Sequence, residues 1–584
     1  MKSLPLTPNG KVDRRALPAL LSFHKEREDK FVAPSTPTEE ILATIWLEVL
    51  GIQQVSINDN FFELGGHSLI ATSVISRIRE AFSIELKVRH LFEAPTIASL
   101  SKIIDTARSV DSHEQSSNSK AIDVLPRSSS AQNTYIPMSF AQQYVWDFQQ
   151  LYPDSCAYNC PTALRLTGKI SLEALEKSIN EIIRRHEILR TNFTVVDEQS
   201  VQVITSSLTI PLKIVDLQNL PKPQRIAEAE KLTVQEFQHQ FDLASDPLIK
   251  TTLLRLAPQE HWLLITMHHI ITDGWSYGIF LQELETLYNA FSNGLPSPLS
   301  EVSLQYADFT LWERQWLNEE LLQKQLDYWL QKLADIPASL NLLPIGQPQV
   351  SSDSKRASFY SLVLPESLVA SIKALSRSRG VTIFATLVAA LKLLLYKGCG
   401  QSDILILART ANRLTPTIEK MLGCFINDIL LRSQVDGSQT GLMLLEQVNQ
   451  TVTEAIANQE IPLQRVVKAL SEISPIQSLR TLSVSMAPPV LLQSQNLKWE
   501  MISVPIESPI ESELWDEQHF PIEIYIHFPG EDFNTIEIVV FYSNTVFTER
   551  TIELMFSDYQ EVLQKLVELP ETQVCAFEAS EGFP

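Results

Sequence analysis

Two adjacent histidines at the end of an apolar run, followed four residues later by an aspartate and a glycine, are the residues of this chain best suited to chemistry: WLLITMHHIITDGWSYGIF, Trp262 to Phe280. An imidazole titrates nearer neutrality than any other unperturbed side chain, so His268 or His269 could take up and return a proton. On a strand of period two, Leu263, Ile265, Met267 and His269 share one face, while Leu264, Thr266 and His268 share the other. The two rings should therefore diverge, which argues against a shared metal, and no further ligand cluster accompanies them. The plainer alternative is a pair of core histidines whose hydrogen bonds are satisfied. A second candidate is Ser68, preceded by Gly65, Gly66 and His67 in DNFFELGGHSLIATSVISRIREAF. The glycines allow a sharp turn, and a hydroxyl at a helix start sits where unpaired N–H groups favour a phosphate, although a serine there is also an ordinary N-cap.

The elements that must hold these residues are of two kinds. Around Ser68 the pattern is helical, with Ile41, Ile45 and Val49 on one predicted helix and Ala71, Val74, Ile78 and Phe82 on another. That segment lies between two polar linkers, Pro18 to Pro37 and Ala107 to Asn133. Beyond the second linker, strand-like runs (His261 to His268, Asp403 to Leu407, Ile522 to His527) alternate with amphipathic helices such as Ser276 to Phe291, an α/β pattern. The length suits two lobes, with a boundary expected near residue 300.

Composition narrows the function. A chain of 584 residues with 44% hydrophobic and 20% charged residues folds as several globular domains. The net charge of -22, from 69 acidic and 47 basic residues, opposes nucleic-acid binding, which Lys and Arg drive. The five cysteines, Cys156, Cys160, Cys399, Cys424 and Cys575, have no CxxC spacing and read as reduced thiols. MKSLPLTPNG lacks the apolar run of a signal peptide, and Thr382 to Tyr396 is too short for a bilayer and carries Lys392. A cytoplasmic protein without a membrane partner is expected.

DxFFxLGGxSL around Ser68 resembles the carrier domains of nonribosomal peptide synthetases, and HHxxxDG resembles the signature of their condensation domains. Further landmarks follow in that family's order: SFAQQYVW at Ser139, RRHEILRTNF at Arg184, YADFTLWERQWL at Tyr306, ANR at Ala411 and GCFIND at Gly423. LPLTPNGKVDRRALP, Leu4 to Pro18, resembles the closing motif of adenylate-forming domains, in which Lys11 would contact the adenylate; without the rest of that domain, no amino-acid activation is expected. The resemblance implies a multidomain chain: residues 1–17 an adenylation-domain tail, 18–37 a linker, 38–106 a small all-α four-helix-bundle carrier, and 107–134 a linker. An α/β condensation domain of two chloramphenicol-acetyltransferase-like lobes in a V shape would follow, at 135–300 and 301–584.

The same resemblance implies the roles. Ser68 would carry 4'-phosphopantetheine, loaded by a phosphopantetheinyl transferase, and an upstream adenylation domain would supply its amino acid. His269 would face the reaction. His268, Asp273 and Gly274 would complete the motif, Arg413 would pair with Asp273, and Arg190 would support the site. A monomer would transfer the acyl group from Ser68 to the α-amine on a downstream aminoacyl carrier. An α-ammonium has a pKa of about 8, so about a tenth is neutral at pH 7. Positioning can supply about 7–11 kcal/mol and a general base about 3–5. His269 could accept a proton or hydrogen-bond the amine or the tetrahedral intermediate, and the sequence does not separate these roles. GGHSL in place of GGDS, with no epimerization segment after the carrier, points to an L-configured donor. The family's Gly-Thr-Pro is here Leu407, Ala408, Arg409; His-Gln is Asn458, Gln459; Pro-Phe is Pro462, Leu463; and FVNT is Phe425, Ile426, Asn427, Asp428. Two rival readings are an epimerization domain, which shares HHxxxDG, and a docking module without catalysis.

Overall fold

A computed structural model describes residues 31–110 (save 51, 53, 63, 65, 67, 83, 85, 87–89, 92 and 93), 122, 124, 135–336, 357–473 (save 414), 482–486, 497–502, 522–528 and 534–577 (save 545). The Leu4–Pro18 motif with Lys11, Gly65, His67, the Ser68 side chain and most of both linkers lie outside the described residues. The chain divides between residues 117 and 118 into two compact units.

In the first unit, the helices Pro37–Leu50, Ser68–Phe82 and Ile97–Val110 are among the described residues. The expected four-helix bundle is described only in part. The first helix packs on both others, burying Leu42, Trp46, Phe61, Val74, Ile78, Leu100 and Ile104. Each such side chain contributes about 1.5–3 kcal/mol. Thr38 Oγ1 donates to Asp105 at 2.7 Å, tying the first helix to the third. Ahead of Ser68, the Gly66 N–H donates to the Phe61 carbonyl at 2.9 Å. A Cβ at Gly66 would collide with the Phe61 ring, which is itself fixed 5.2 Å from Trp46. Glycine at 66 is thus needed to bring the chain to the start of the Ser68 helix.

The second unit is built on three sheets. One has the order β12 (Lys498–Met501), β2 (Asn159–Thr167), β7 (Glu260–His268), β6 (Ile249–Ala257), β5 (Lys213–Asp216). A small sheet orders β1 (Tyr135–Pro137), β4 (Gln199–Ile204), β3 (Thr191–Val196). The largest runs β10 (Asn427–Gln434), β9 (Asp403–Thr410), β11 (Ser483–Met486), β13 (Ile522–His527), β14 (Glu537–Ser543), β8 (Ala357–Val363). The expected strands at 261–268, 403–407 and 522–527 are all present, and the helix read at 276–291 spans Gly274–Ser292. β7 is central and covered on both faces, so its side chains from His261 to His268 are buried without alternation.

A lobe boundary at 300 needs correction. Tyr306, Phe309 and Trp312, at a spacing of three on the helix Tyr306–Trp316, are buried in the same core as β2, β6 and β7, as are Ile418 to Phe425. β12 crosses back from the later half of the chain to pair antiparallel with β2, Trp499 opposite Leu166. Apolar periodicity draws the helix into the first core, and the open edge of β2 takes up the strand. No single helix among the described residues is long and apolar enough to cross a membrane.

Candidate active site

His268 ends β7, and His269 opens the short turn His269–Ile271 instead of continuing the strand. The cause is local: His269 N–H is taken by the Tyr158 carbonyl at 2.7 Å, out of the ladder. The two rings meet different partners. His268 Nδ1 accepts from Ile270 N–H at 3.3 Å, and its Nε2 lies 3.4 Å from Gln149 Oε1. The Gln149 amide is oriented by the carbonyls of Tyr152, Pro153 and Ser155 at 3.0–3.2 Å, so its oxygen is left to face the imidazole. Burial, with the neighbouring His269 adding to it, pushes His268 down to about 3. It is neutral at pH 7, with a partner at each ring nitrogen.

His269 is half-buried and turns toward the segment that carries Cys424. Its Nδ1 lies 3.8 Å from Cys424 Sγ, and its ring stands edge-on to Tyr158, 6.1 Å between centroids. Burial, followed by the charge of Arg409, holds His269 below its ordinary range, against the opposing pull of Asp273. The imidazole is therefore neutral at pH 7, the form that accepts a proton or hydrogen bond. Burial likewise keeps the Cys424 thiol far above its usual range, so the group beside His269 is an uncharged thiol.

Asp273 caps the helix Gly274–Ser292, its Oδ1 accepting from Ser276 N–H at 2.7 Å. An aspartate directly before a helical run is a readable N-cap signal. Oδ2 accepts from Phe425 N–H at 3.1 Å. Arg413 Nη2 reaches both oxygens, at 2.9 and 3.2 Å, and Ser276 Oγ at 2.7 Å. Nη1 donates to the carbonyls of Ile418 and Met421, each at 2.7 Å. With the Phe425 ring 4.2 Å from its guanidinium carbon, Arg413 fastens the 418–425 segment to the helix that follows the histidines. Gly274 occupies the first helical position, where a Cβ would meet nothing within 4 Å.

The structure places Arg190 elsewhere. It donates to the Thr205 carbonyl and pairs with Glu187 at 3.6 Å, on the β3–β4 side. Within RRHEILR, Arg185 is the arginine that grips the site's helix, with Glu283 at 3.1 and 3.2 Å and the Ser300 carbonyl at 2.8 Å. The physical reason is position: Arg185 closes the helix Leu172–Arg185 that packs on Gly274–Ser292, whereas Arg190 comes after a further turn.

Three other landmarks converge here. Ser139 and Gln142 form a capping box, and Gln142 Nε2 donates to the Ile270 carbonyl at 3.2 Å, fixing the turn after His269. Tyr306 OH contacts Ser139 Oγ at 2.7 Å and donates to the Cys424 carbonyl. Gly423 admits that ring, because a Cβ there would fall on Tyr306. Asn427 then pins the end of GCFIND to the carbonyls of Gln459 and Ile461 at 2.7 and 2.8 Å. Sequence reasoning missed Cys424, Tyr306 and Arg185 as parts of the site.

Residues 132–579 match the family model described as Condensation domain, and residues 40–104 match Phosphopantetheine attachment site. The chain is 39% identical over 573 residues to one of the linear gramicidin synthase proteins of Brevibacillus parabrevis, a match that covers 98% of the chain and 11% of that protein. It is 35% identical over 554 residues to malpibaldin synthetase of Mortierella alpina, 94% of the chain and 10% of the relative. The chain thus spans only a small part of the length of these relatives. Among solved structures, the X-domain from teicoplanin biosynthesis superposes with a TM-score of 0.66 at 21% identity, covering 78% of this chain and 99% of that one. The first condensation domain of the calcium-dependent antibiotic synthetase gives 0.62 at 16%, covering 76% and 98%. At those identities the likeness is one of fold.

Proposed function

We propose, for a chain that belongs to the condensation-domain family of nonribosomal peptide synthetases and carries a phosphopantetheine attachment domain ahead of it, that the acyl group carried at Ser68 is joined to an incoming amine beside His269. Bound phosphopantetheine supplies the thiol on which that group is held as a thioester. The described residues fit such a group: Gly66 gives the tight turn, and Ser68 begins a helix of 15 residues whose first N–H groups suit a phosphodiester. Tethering holds the cargo at up to about millimolar effective concentration and limits the partners it meets.

The observation that carries the reading is a neutral, half-buried imidazole at the end of β7, set between Cys424 and the loop that Arg413 fastens through Asp273. With the group bound, an incoming α-amine would form the N–C bond as the C–S bond is released, and the amine's proton would end on the freed thiol. His269 can hold that proton in between because it is uncharged. His268, Asp273 and Arg413 keep the ring and its loop in position. The acceptor is an aminoacyl group on a downstream carrier, the donor is L-configured and supplied through an upstream adenylation domain, and a phosphopantetheinyl transferase modifies Ser68 of a monomeric chain.

Intact-protein mass spectrometry after treatment with coenzyme A and a phosphopantetheinyl transferase tests the donor half, with Ser68→Ala expected to stay unmodified. Amide formation between the loaded chain and a loaded acceptor carrier tests the other. His269→Ala should slow it by about 10²–10⁴-fold. Undiminished turnover would reduce the second unit to a docking scaffold, and faster product formation from a D-aminoacyl donor would overturn the stereochemical part.

A further inference from the structure

Two departures from the family pattern, Arg409 and Asp428, turn out to be one structure. β9 and β10 pair with Arg409 directly opposite Asp428. On the other side of β9, Ser485 of β11 lies opposite Arg409, and Tyr525 of β13 lies opposite Ser485. Residues directly opposite share a face, so Asp428, Arg409, Ser485 and Tyr525 form a polar row across four strands, all half-buried. Glu523, two residues before Tyr525, adds a second carboxylate on that face. Arg409 Nε donates to Asp428 Oδ1 at 3.2 Å, and Nη2 stands 3.7 Å from Glu523 Oε1. Tyr525 OH donates to Glu523 Oε2 at 3.0 Å.

Asp428 lies four residues beyond Cys424, whose sulfur is 3.8 Å from His269 Nδ1. The charge of Arg409 acts on His269, Cys160, Tyr144 and Tyr158, and of these the Tyr158 ring stands 6.1 Å from His269 and 6.3 Å from Tyr144 between centroids. A guanidinium has five N–H donors. Among the described residues only one of them makes a hydrogen bond, and Nη2 has an ion partner at the longer distance. The two carboxylates thus orient the fork and leave most of its donors unused, with the imidazole within reach of its charge. With two negative charges against one positive, a further anion is disfavoured, and a neutral oxygen is the acceptor that fits.

We propose that Arg409, oriented by Asp428 and Glu523, is a substrate-positioning residue whose free N–H groups hold the carbonyl oxygen of a thioester beside His269. It rests on the condensation reading above. The same chemistry can come from the donor thioester or from the acceptor thioester, and binding can tell them apart without turnover. Two unreactive pantetheine mimics are needed, an N-acetylated aminoacyl amide for the donor and a free-amine aminoacyl amide for the acceptor, each with a partner in which CH2 replaces the carbonyl.

Titration calorimetry on the full chain should show removal of the carbonyl weakening one mimic by about 10–100-fold, the loss expected of a charge-assisted hydrogen bond. Arg409→Gln should erase that difference for the same mimic, which names the source. Should Arg409→Gln unfold because two carboxylates are left unpaired, the neutral set R409Q, D428N and E523Q together decides in its place, and R409K, which keeps the charge but loses the planar fork, should give a partial loss. Equal carbonyl discrimination in wild type and the neutral variants, for both mimics, overturns the proposal. Amide formation by the wild-type chain is measured separately, so its failure marks failure of the catalytic reading, not of the Arg409 site alone.

Discussion

Removing both partners of the Asp273–Arg413 pair should damage the protein far less than the two single removals predict by addition. The side chains are 1% and 2% exposed, so each charge depends on the other in the absence of water. Asp273→Ala deletes a helix cap worth about 0.5–2 kcal/mol and strands a buried guanidinium; together these cost about 3–5 kcal/mol. Arg413→Met strands the carboxylate instead and releases the Ile418 and Met421 carbonyls, a loss of similar size. In the double variant neither charge remains, so its loss should stay near that of one single variant, giving a coupling energy of about 3 kcal/mol. Urea unfolding followed by tryptophan fluorescence measures the cycle. Hydrogen exchange at 270–276 and 418–427 locates the damage, because the pair joins those two segments. Additivity within about 0.5 kcal/mol, or single losses under about 1 kcal/mol, would refute the claim that this pair holds the two segments together.

Other outcomes follow from the same contacts. Because His269 is held below 6.5 by burial and by Arg409, the single-turnover rate should rise with pH toward the amine's value of about 8 and show its histidine limb only below 6.5; a second limb at or above 6.5 would contradict a neutral imidazole. His268 stays uncharged in the folded state down to about 3 but binds a proton near 6.5 when unfolded. Stability from this group is therefore intact above 6.5 and lost as pH falls toward 3. His268→Phe should shrink the difference in unfolding free energy between pH 8 and pH 5 by about 2 kcal/mol, and an unchanged difference would mean that the ring is hydrated. Gly423→Ala should drive a methyl into Tyr306, costing about 1–3 kcal/mol by overpacking and lowering amide formation with it; normal activity in a variant of unchanged stability would show that the loop can give way.

What the sequence made legible was local. The apolar run into His268, the helix after Asp273 and the turn before Ser68 could each be read from patterns a few residues long. The Asp273–Arg413 pairing came from family resemblance, since 140 residues separate the partners and no spacing connects them. The same gap explains the error over Arg190: two arginines in one short motif look alike until the packing of the Gly274–Ser292 helix places Glu283 beside Arg185. β12 escaped notice because four residues, KWEM, carry too little alternation to mark a strand.

The departures at Arg409 and Asp428 show why such gaps matter for function. Read singly, an arginine in place of Gly-Thr-Pro and an aspartate in place of a threonine look like two independent losses, since each alone would bury an unpaired charge. In the folded chain they stand opposite each other on neighbouring strands, with Glu523 completing the set. Each charge is tolerable because the others are present, so single reversions toward the family pattern should be worse than the joint one. A wall of this kind is rigid, since a guanidinium held between two carboxylates has little freedom left to lose when a substrate oxygen arrives, and preorganised donors beside a reacting carbonyl are among the strongest contributors to catalysis.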